Sequence, residues 1–277
     1  MTPVLVGSAA AFYDGQFSPV LFLVALFASV AIHAGTNLAN DYYDHVRGVD
    51  AHQAIGPSGV IQQGLLRPAT VLKGALLLFA VSGLLGLTLV AVRGWPVLVI
   101  GVLSVLAGYS YTGGPLPLGY LGLGDVIVSV FMGFVILCGT YYVHAGSISA
   151  TALWAALPVA ALVDAILVVN NLRDLEGDRA RGKRTLATFI GPGATRAHYL
   201  ALLVITYTSV AIAVGIGVLP ALSLLVILTI PFAIRTWQVV RSETDAVMLT
   251  RNGLAQTARL HARVGELLAI ALVLSRL

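Results

Sequence analysis

Residues 19–44 read PVLFLVALFASVAIHAGTNLANDYYD. The run from Pro19 to Ile32 is apolar, and it leads into Asn37, Asn40, Asp41 and Asp44. A charged side chain at membrane depth costs roughly 3 kcal/mol or more unless it is paired or bound. An apolar helix that ends in carboxylates therefore implies something that takes up their charge. The pattern recurs far along the chain, where Asn170-Asn171-Leu172-Arg173-Asp174-Leu175-Glu176-Gly177-Asp178 closes a second long apolar run. Two acidic helix ends in one apolar chain organise everything else.

The composition makes the setting a bilayer. The 277 residues are 58% hydrophobic and only 10% charged, with a mean hydropathy of +0.93; a soluble domain is about a quarter charged. The apolar runs are continuous and lack the alternation of barrel strands, so they are helices. The single cysteine, Cys138, sits inside such a run, which excludes a disulfide framework and reads as a packed thiol. No basic segment followed by a small-residue cleavage site opens the chain, so no cleavable signal peptide is expected. The net charge of +4 reflects loop charges beside a membrane, not nucleic-acid binding.

Nine spans are expected, in one membrane domain over residues 1–277: 3–12, 19–41, 70–92, 96–111, 123–144, 150–173, 197–218, 220–240 and 254–274. The first is too short to cross alone. Tight turns at Asp14-Gly15, Arg93-Gly94, Ala145-Gly146-Ser147 and Gly217 to Pro220 join spans on one side. On the other side the loops are long and polar. Of 16 Lys and Arg, only Arg93 and Arg276 fall on the short-loop side. The positive-inside rule then places the long loops, both acidic ends and the N-terminus in the cytoplasm, in a multi-pass protein of the cytoplasmic membrane.

On a helix, residues four apart share a face. Asn40 and Asp44 point one way with Asn37 and Asp41 flanking, and Asn170, Asp174 and Asp178 form a second stripe. Like charges at this spacing repel, and a divalent cation removes the repulsion. Hard cations such as Mg²⁺ take carboxylate and amide oxygens and share coordination with substrate phosphates. The chemistry suggested is activation of a diphosphate leaving group, with cations neutralising the charge that develops as a carbon–oxygen bond breaks. Lys183 and Arg173 are the preferred anion contacts, with Arg47 after the first stripe and Arg179-Ala180-Arg181-Gly182-Lys183-Arg184 after the second. Asp50 either extends the first site or ends the loop, and Glu176 falls off the stripe and reads as solvated.

Asn40-Asp41-x-x-Asp44, then Asp174-x-x-x-Asp178 with Gly182-Lys183-x-Thr185, resembles the paired motifs of UbiA-type intramembrane prenyltransferases. Tyr-Thr-Gly-Gly-Pro-Leu-Pro-Leu (111–118), Gly122-Leu123-Gly124-Asp125 and the 170–186 segment resemble the branch that prenylates 1,4-dihydroxy-2-naphthoate on the route to menaquinone. The resemblance implies an all-α polytopic bundle around a central cavity, Mg²⁺, a polyprenyl diphosphate donor and an aromatic acceptor. It implies that Asn40, Asp44, Asp174 and Asp178 ligate Mg²⁺ and the diphosphate, with Asp41 close by and Lys183, Asn170 and Asn171 in the same site. Other branches carry Lys four residues after the Tyr of the fourth span; here Tyr109 is followed by Gly113, which suits the naphthoate branch. Gly59 stands where Arg is frequent, and Arg67 is a candidate replacement. Competing readings are another acceptor (homogentisate, 4-hydroxybenzoate or a glycerol ether lipid) and a cation-coupled transporter.

Asp164 lies near mid-membrane in the sixth span, either as a proton acceptor or acceptor-orienting group, or as a protonated Asp bonded to a neighbouring helix. The loop from Thr112 to Gly122, with four Gly, two Pro and no charge, is expected to line the acceptor pocket with Tyr109, Tyr111 and Tyr120. His33 reads as a packing residue, His144 as interfacial, and Trp95, Trp154 and Trp237 as membrane anchors.

Overall fold

The computed structural model describes residues 1–48, 60, 61, 63–114 and 117–277; Asp50 and Gly59 lie outside them. Among the described residues the chain forms a helical bundle: α1 (Thr2–Tyr13), α2 (Pro19–Val46), α3 (Pro68–Arg93), α4 (Trp95–Ser110), α5 (Gly124–Ala145), α6 (Ala150–Ala180), α7 (Leu186–Gly215), α8 (Ala221–Ser242) and α9 (Ala255–Leu274). Six of these, α2, α3, α5, α6, α7 and α8, are long and apolar enough to cross a membrane. The chain is thus an integral multi-pass membrane protein. The remaining three are less clear-cut than the sequence suggests. α1 and α4 have 12 and 16 residues, and α9 carries Arg259, Arg263 and Glu266 on its exposed face.

Local chemistry sets the helix ends. Ser18 and Ser149 each accept a backbone N–H of the first turn, from Leu21 at 3.5 Å and Ala152 at 3.2 Å. Gly146, at φ +74°, ends α5 in the left-handed conformation that a side chain would strain. α2 runs five residues beyond its expected end and α6 seven, so both acidic stripes are helical throughout. Both ends are followed by a glycine at positive φ, Gly48 and Gly182.

α6 is the axis of the bundle. Its apolar stretch is 72% buried, against 17% for α2 and α3, which turn most of their surface outward. Ala152, Ala155, Ala156, Val159, Ala160 and Ala165 give it a slim profile that lets neighbours approach closely. At Gly133 of α5 an added Cβ would sit 2.4 Å from the Cβ of Ala160. Cys138 is buried, with its thiol directed at Ala152 O, as a packed cysteine should be.

The short-loop end is stitched by hydrogen bonds. His144 Nδ1 accepts the N–H of Ser18 at 3.2 Å, which leaves the proton on Nε2, 3.0 Å from Ser8 Oγ. Arg93 donates to the carbonyls of Val143 and His144. Asp14 accepts from Tyr141 at 2.6 Å and Thr151 at 3.2 Å. His144 is therefore a buried cross-link, 2% exposed; its partners come from α1 and the start of α2, which the local sequence does not reveal. Trp95 is exposed as an anchor should be, but Trp154 and Trp237 pack on the core, the latter stacked on Tyr199.

Candidate functional site

A cavity of about 540 Å³ lies between α2, α3, α4 and α5. Its walls are apolar, with Ala28, Ile32, Leu89, Val97 and Phe131 among them. Along α2 it runs from Ala25 to Thr36, about 16 Å at 1.5 Å per residue. Thr36, His33 and Tyr111 close its long-loop end, so it stops one helical turn short of Asn40. His33 lines it as well as meeting Asn37 Nδ2 at 3.4 Å, so it is more than a packing residue.

Just beyond that end, the first acidic stripe is gripped by the 109–120 segment. Asn40 Oδ1 accepts from Thr112 Oγ1 at 2.7 Å, and Asp44 Oδ1 accepts from the Tyr120 hydroxyl at 2.6 Å. Tyr43 and Tyr109 share a hydroxyl–hydroxyl bond of 2.6 Å. Arg47 donates to the carbonyls of Thr112 and, at 3.0 Å, Gly114. Tyr111 lines the cavity below, its carbonyl accepting the N–H of Gly119 at 2.8 Å. Asp41 is buried on the packed side of α2.

The second stripe carries its own cations. Lys183 Nζ stands 3.5 Å from Asp178 Oδ1, and Arg173 forks onto both oxygens of Asp174, at 2.7 Å from Nε. Asp178 is only 2% exposed, and its Oδ2 has no hydrogen-bond partner among the described residues. Asn170 is half-buried, Asn171 is buried against the core, and Glu176 is exposed and paired with Arg179.

One residue joins the two stripes. The Tyr120 ring has Lys183 Nζ 5.2 Å from its centroid and Arg47 Cζ at the same distance, while its hydroxyl holds Asp44. The Tyr120 carbonyl accepts the N–H of Arg184 at 3.3 Å, which clips the loop to the basic turn after α6. Burial and the adjacent Asp44 carboxylate push the phenol above its ordinary range, so it remains a donor. The contacts therefore run Asp44–Tyr120–Lys183–Asp178, from one acidic helix end to the other.

Among the described residues no three acidic, His or Cys side chains form a ready-made metal centre. The carboxylates are interleaved with cations. The donor set still suits a hard cation: carboxylate and amide oxygens, with a buried oxygen of Asp178 left to be satisfied. Asp164 belongs to a different neighbourhood. It is buried in α6 with Oδ2 3.8 Å from His198 Nε2 of α7. Sequence reasoning put Tyr120 in the acceptor pocket, not between the acidic ends where its hydroxyl meets Asp44, and gave His198 no role. Tyr120 is marked by its uncharged, Gly- and Pro-rich loop, whereas His198 gives no local signal.

The UbiA prenyltransferase family model matches residues 1–252. The 1,4-dihydroxy-2-naphthoate octaprenyltransferase of Bacillus subtilis is 32% identical over 274 residues, 99% of this chain and 88% of that protein. The enzyme of the same name from Mycobacterium leprae is 37% identical over 206 residues, 74% of this chain and 70% of that one. Among solved structures, the apo form of a UbiA homolog from Aeropyrum pernix shares the fold with a TM-score of 0.76 at 14% identity, covering 100% of this chain and 97% of that one. A UbiA homolog from Archaeoglobus fulgidus, solved with DMAPP and Mg²⁺, gives 0.68 at 15% identity, covering 98% and 95%. Two motif-bearing helix ends joined above an apolar cavity, together with these matches, make the chain a prenyltransferase that belongs to the UbiA family.

Proposed function

We propose that this enzyme transfers a polyprenyl group from its diphosphate to 1,4-dihydroxy-2-naphthoate, with loss of carbon dioxide, giving demethylmenaquinol, the reduced form of demethylmenaquinone. The observation that carries the reading is the chain of contacts Asp44–Tyr120–Lys183–Asp178 just beyond the long-loop end of the apolar cavity. It puts acidic and cationic groups from α2 and the α6–α7 turn around one point, as diphosphate binding requires. The similarity to dihydroxynaphthoate octaprenyltransferases over nearly the whole chain supports that acceptor. The relative solved with DMAPP and Mg²⁺ supports the donor class and the metal.

In this reading Asn40, Asp44, Asp174 and Asp178 hold Mg²⁺, which when bound neutralises the diphosphate. Lys183, Arg47 and Arg173 turn from their present partners to phosphate oxygens, and Asn37, Asn170 and Asn171 complete the polar surround. The isoprenoid tail lies in the cavity between α2 and α5, where apolar walls keep water from the allylic carbon. The carbon–oxygen bond of the donor breaks and its electron pair leaves with the diphosphate. The carboxyl-bearing ring carbon attacks the allylic carbon, and the carboxylate departs as carbon dioxide, returning its electron pair to the ring. Tyr109 and Tyr111, at the inner end, face the acceptor, with Asp164 on its far side. The nine helices form a single domain in the cytoplasmic membrane, with the long loops and the site on the cytoplasmic side.

Purified protein incubated with Mg²⁺, a polyprenyl diphosphate and equal amounts of dihydroxynaphthoate, homogentisate and 4-hydroxybenzoate tests the reading. Prenylated, decarboxylated naphthoquinol is the expected product. A prenylated homogentisate or hydroxybenzoate as the main product reassigns the acceptor, and no prenyl transfer to any of them sinks the proposal.

A further inference from the structure

Tyr120 has a position that neither acidic motif explains. It lies outside both, 76 residues from Asp44, yet its hydroxyl makes the 2.6 Å bond to Asp44 Oδ1. That length is typical of a charge-assisted bond to a carboxylate. Its ring meets two cations that belong to different helix ends: Arg47 follows α2, and Lys183 follows α6. Its carbonyl is fastened to Arg184. A side chain with only a packing role would need none of these polar contacts.

We propose that Tyr120 is a positioning residue for the donor site, fixing Asp44 through its hydroxyl and holding Lys183 and Arg47 on its ring. The proposal rests on the reading of the two acidic ends as the Mg²⁺–diphosphate site. Engaging Oδ1 fixes the rotamer of Asp44 and turns Oδ2 to the incoming ion, as hydrogen bonds behind metal ligands do elsewhere. The ring helps keep two cations near the spot where phosphate oxygens arrive, through cation–π attraction that diphosphate then outcompetes. Tyr120 itself touches neither metal nor substrate in this role.

The test separates hydroxyl from ring. The full-length protein is purified, and its melting temperature is followed as Mg²⁺ is added with geranyl diphosphate as probe and no acceptor. Turnover with acceptor is measured in parallel. Tyr120→Phe should keep a ligand-free melting temperature close to wild type, while the Mg²⁺ needed for half-maximal stabilisation rises about tenfold or more. Its kcat at saturating Mg²⁺ should largely recover. Tyr120→Ala should in addition raise the half-saturating geranyl diphosphate, because the platform under Lys183 and Arg47 is gone. Asp44→Ala is the control and should lose the Mg²⁺-dependent stabilisation. If Tyr120→Phe matches wild type in Mg²⁺ requirement while Asp44→Ala fails, Tyr120 does not position the site, although the donor-site reading stands. A lowered ligand-free melting temperature with unchanged half-saturation makes Tyr120 a structural strap and also overturns the proposal. If wild type itself shows no stabilisation by Mg²⁺ and geranyl diphosphate, the donor-site reading has failed first.

Discussion

Replacing Lys183 with Met probes how the second acidic end is balanced. Lys183 Nζ is 3.5 Å from Asp178 Oδ1, with the two side chains 17% and 2% exposed. Removing one member of a fully buried pair costs about 3–5 kcal/mol, because the remaining charge is stranded. Lys183 keeps some contact with water, so we expect less than that, about 2–3 kcal/mol. For a chain of this size that corresponds to a fall in melting temperature of roughly 5–10 °C. The effect should be specific to charge: adding Asp178→Asn, which needs no counter-ion, should recover most of the loss and give a coupling energy above about 1 kcal/mol. Thermal unfolding of wild type, both single variants and the double variant in one detergent completes the cycle. A Lys183→Met protein that melts within about 1 °C of wild type would refute the pairing, and additive losses in the double variant would refute the charge argument.

Asp44→Ala and Asp174→Ala should each lower prenyl transfer by about 10²–10³-fold or more while the bundle stays folded; near-normal turnover at saturating Mg²⁺ in either would remove that residue from the site. Gly133→Leu should destabilise by about 1–3 kcal/mol, because the Cβ alone already meets Ala160 at 2.4 Å, and thermal unfolding reads the loss. His144→Ala removes contacts to Ser18 and Ser8. It should lower the melting temperature without moving the Mg²⁺ concentration for half-maximal activity, since it acts at the opposite end of the bundle.

The two acidic stripes are legible because a spacing of four along a helix carries its own geometry, and α2 and α6 do continue through Asp44 and Asp178. The apolar runs likewise mark six long helices without any tertiary information. What the chain hides is pairing at long range. Nothing near Tyr120 announces Asp44, and nothing near His144 announces Ser8, 136 residues away. His198 beside Asp164 is hidden for the same reason. The ninth helix misleads differently: its length suits a span, but its exposed arginines and Glu266 lower its hydropathy. Trp237 sits where an anchor belongs by count, yet α8 rotates it inward onto Tyr199.

The hydrogen bonds around Ser8, Asp14, Arg93 and His144 lock one pole of the molecule with partners drawn from the protein itself. The opposite pole is held by hydrogen bonds from Thr112, Tyr120 and Arg47 and by the ion pairs of Arg173 and Lys183, whose charges are the groups that a diphosphate or metal ion would compete for. Salt, which screens exposed charge pairs, therefore acts on the pairs of Arg173 and Lys183 and not on the neutral hydrogen bonds that join Ser8, Ser18 and His144.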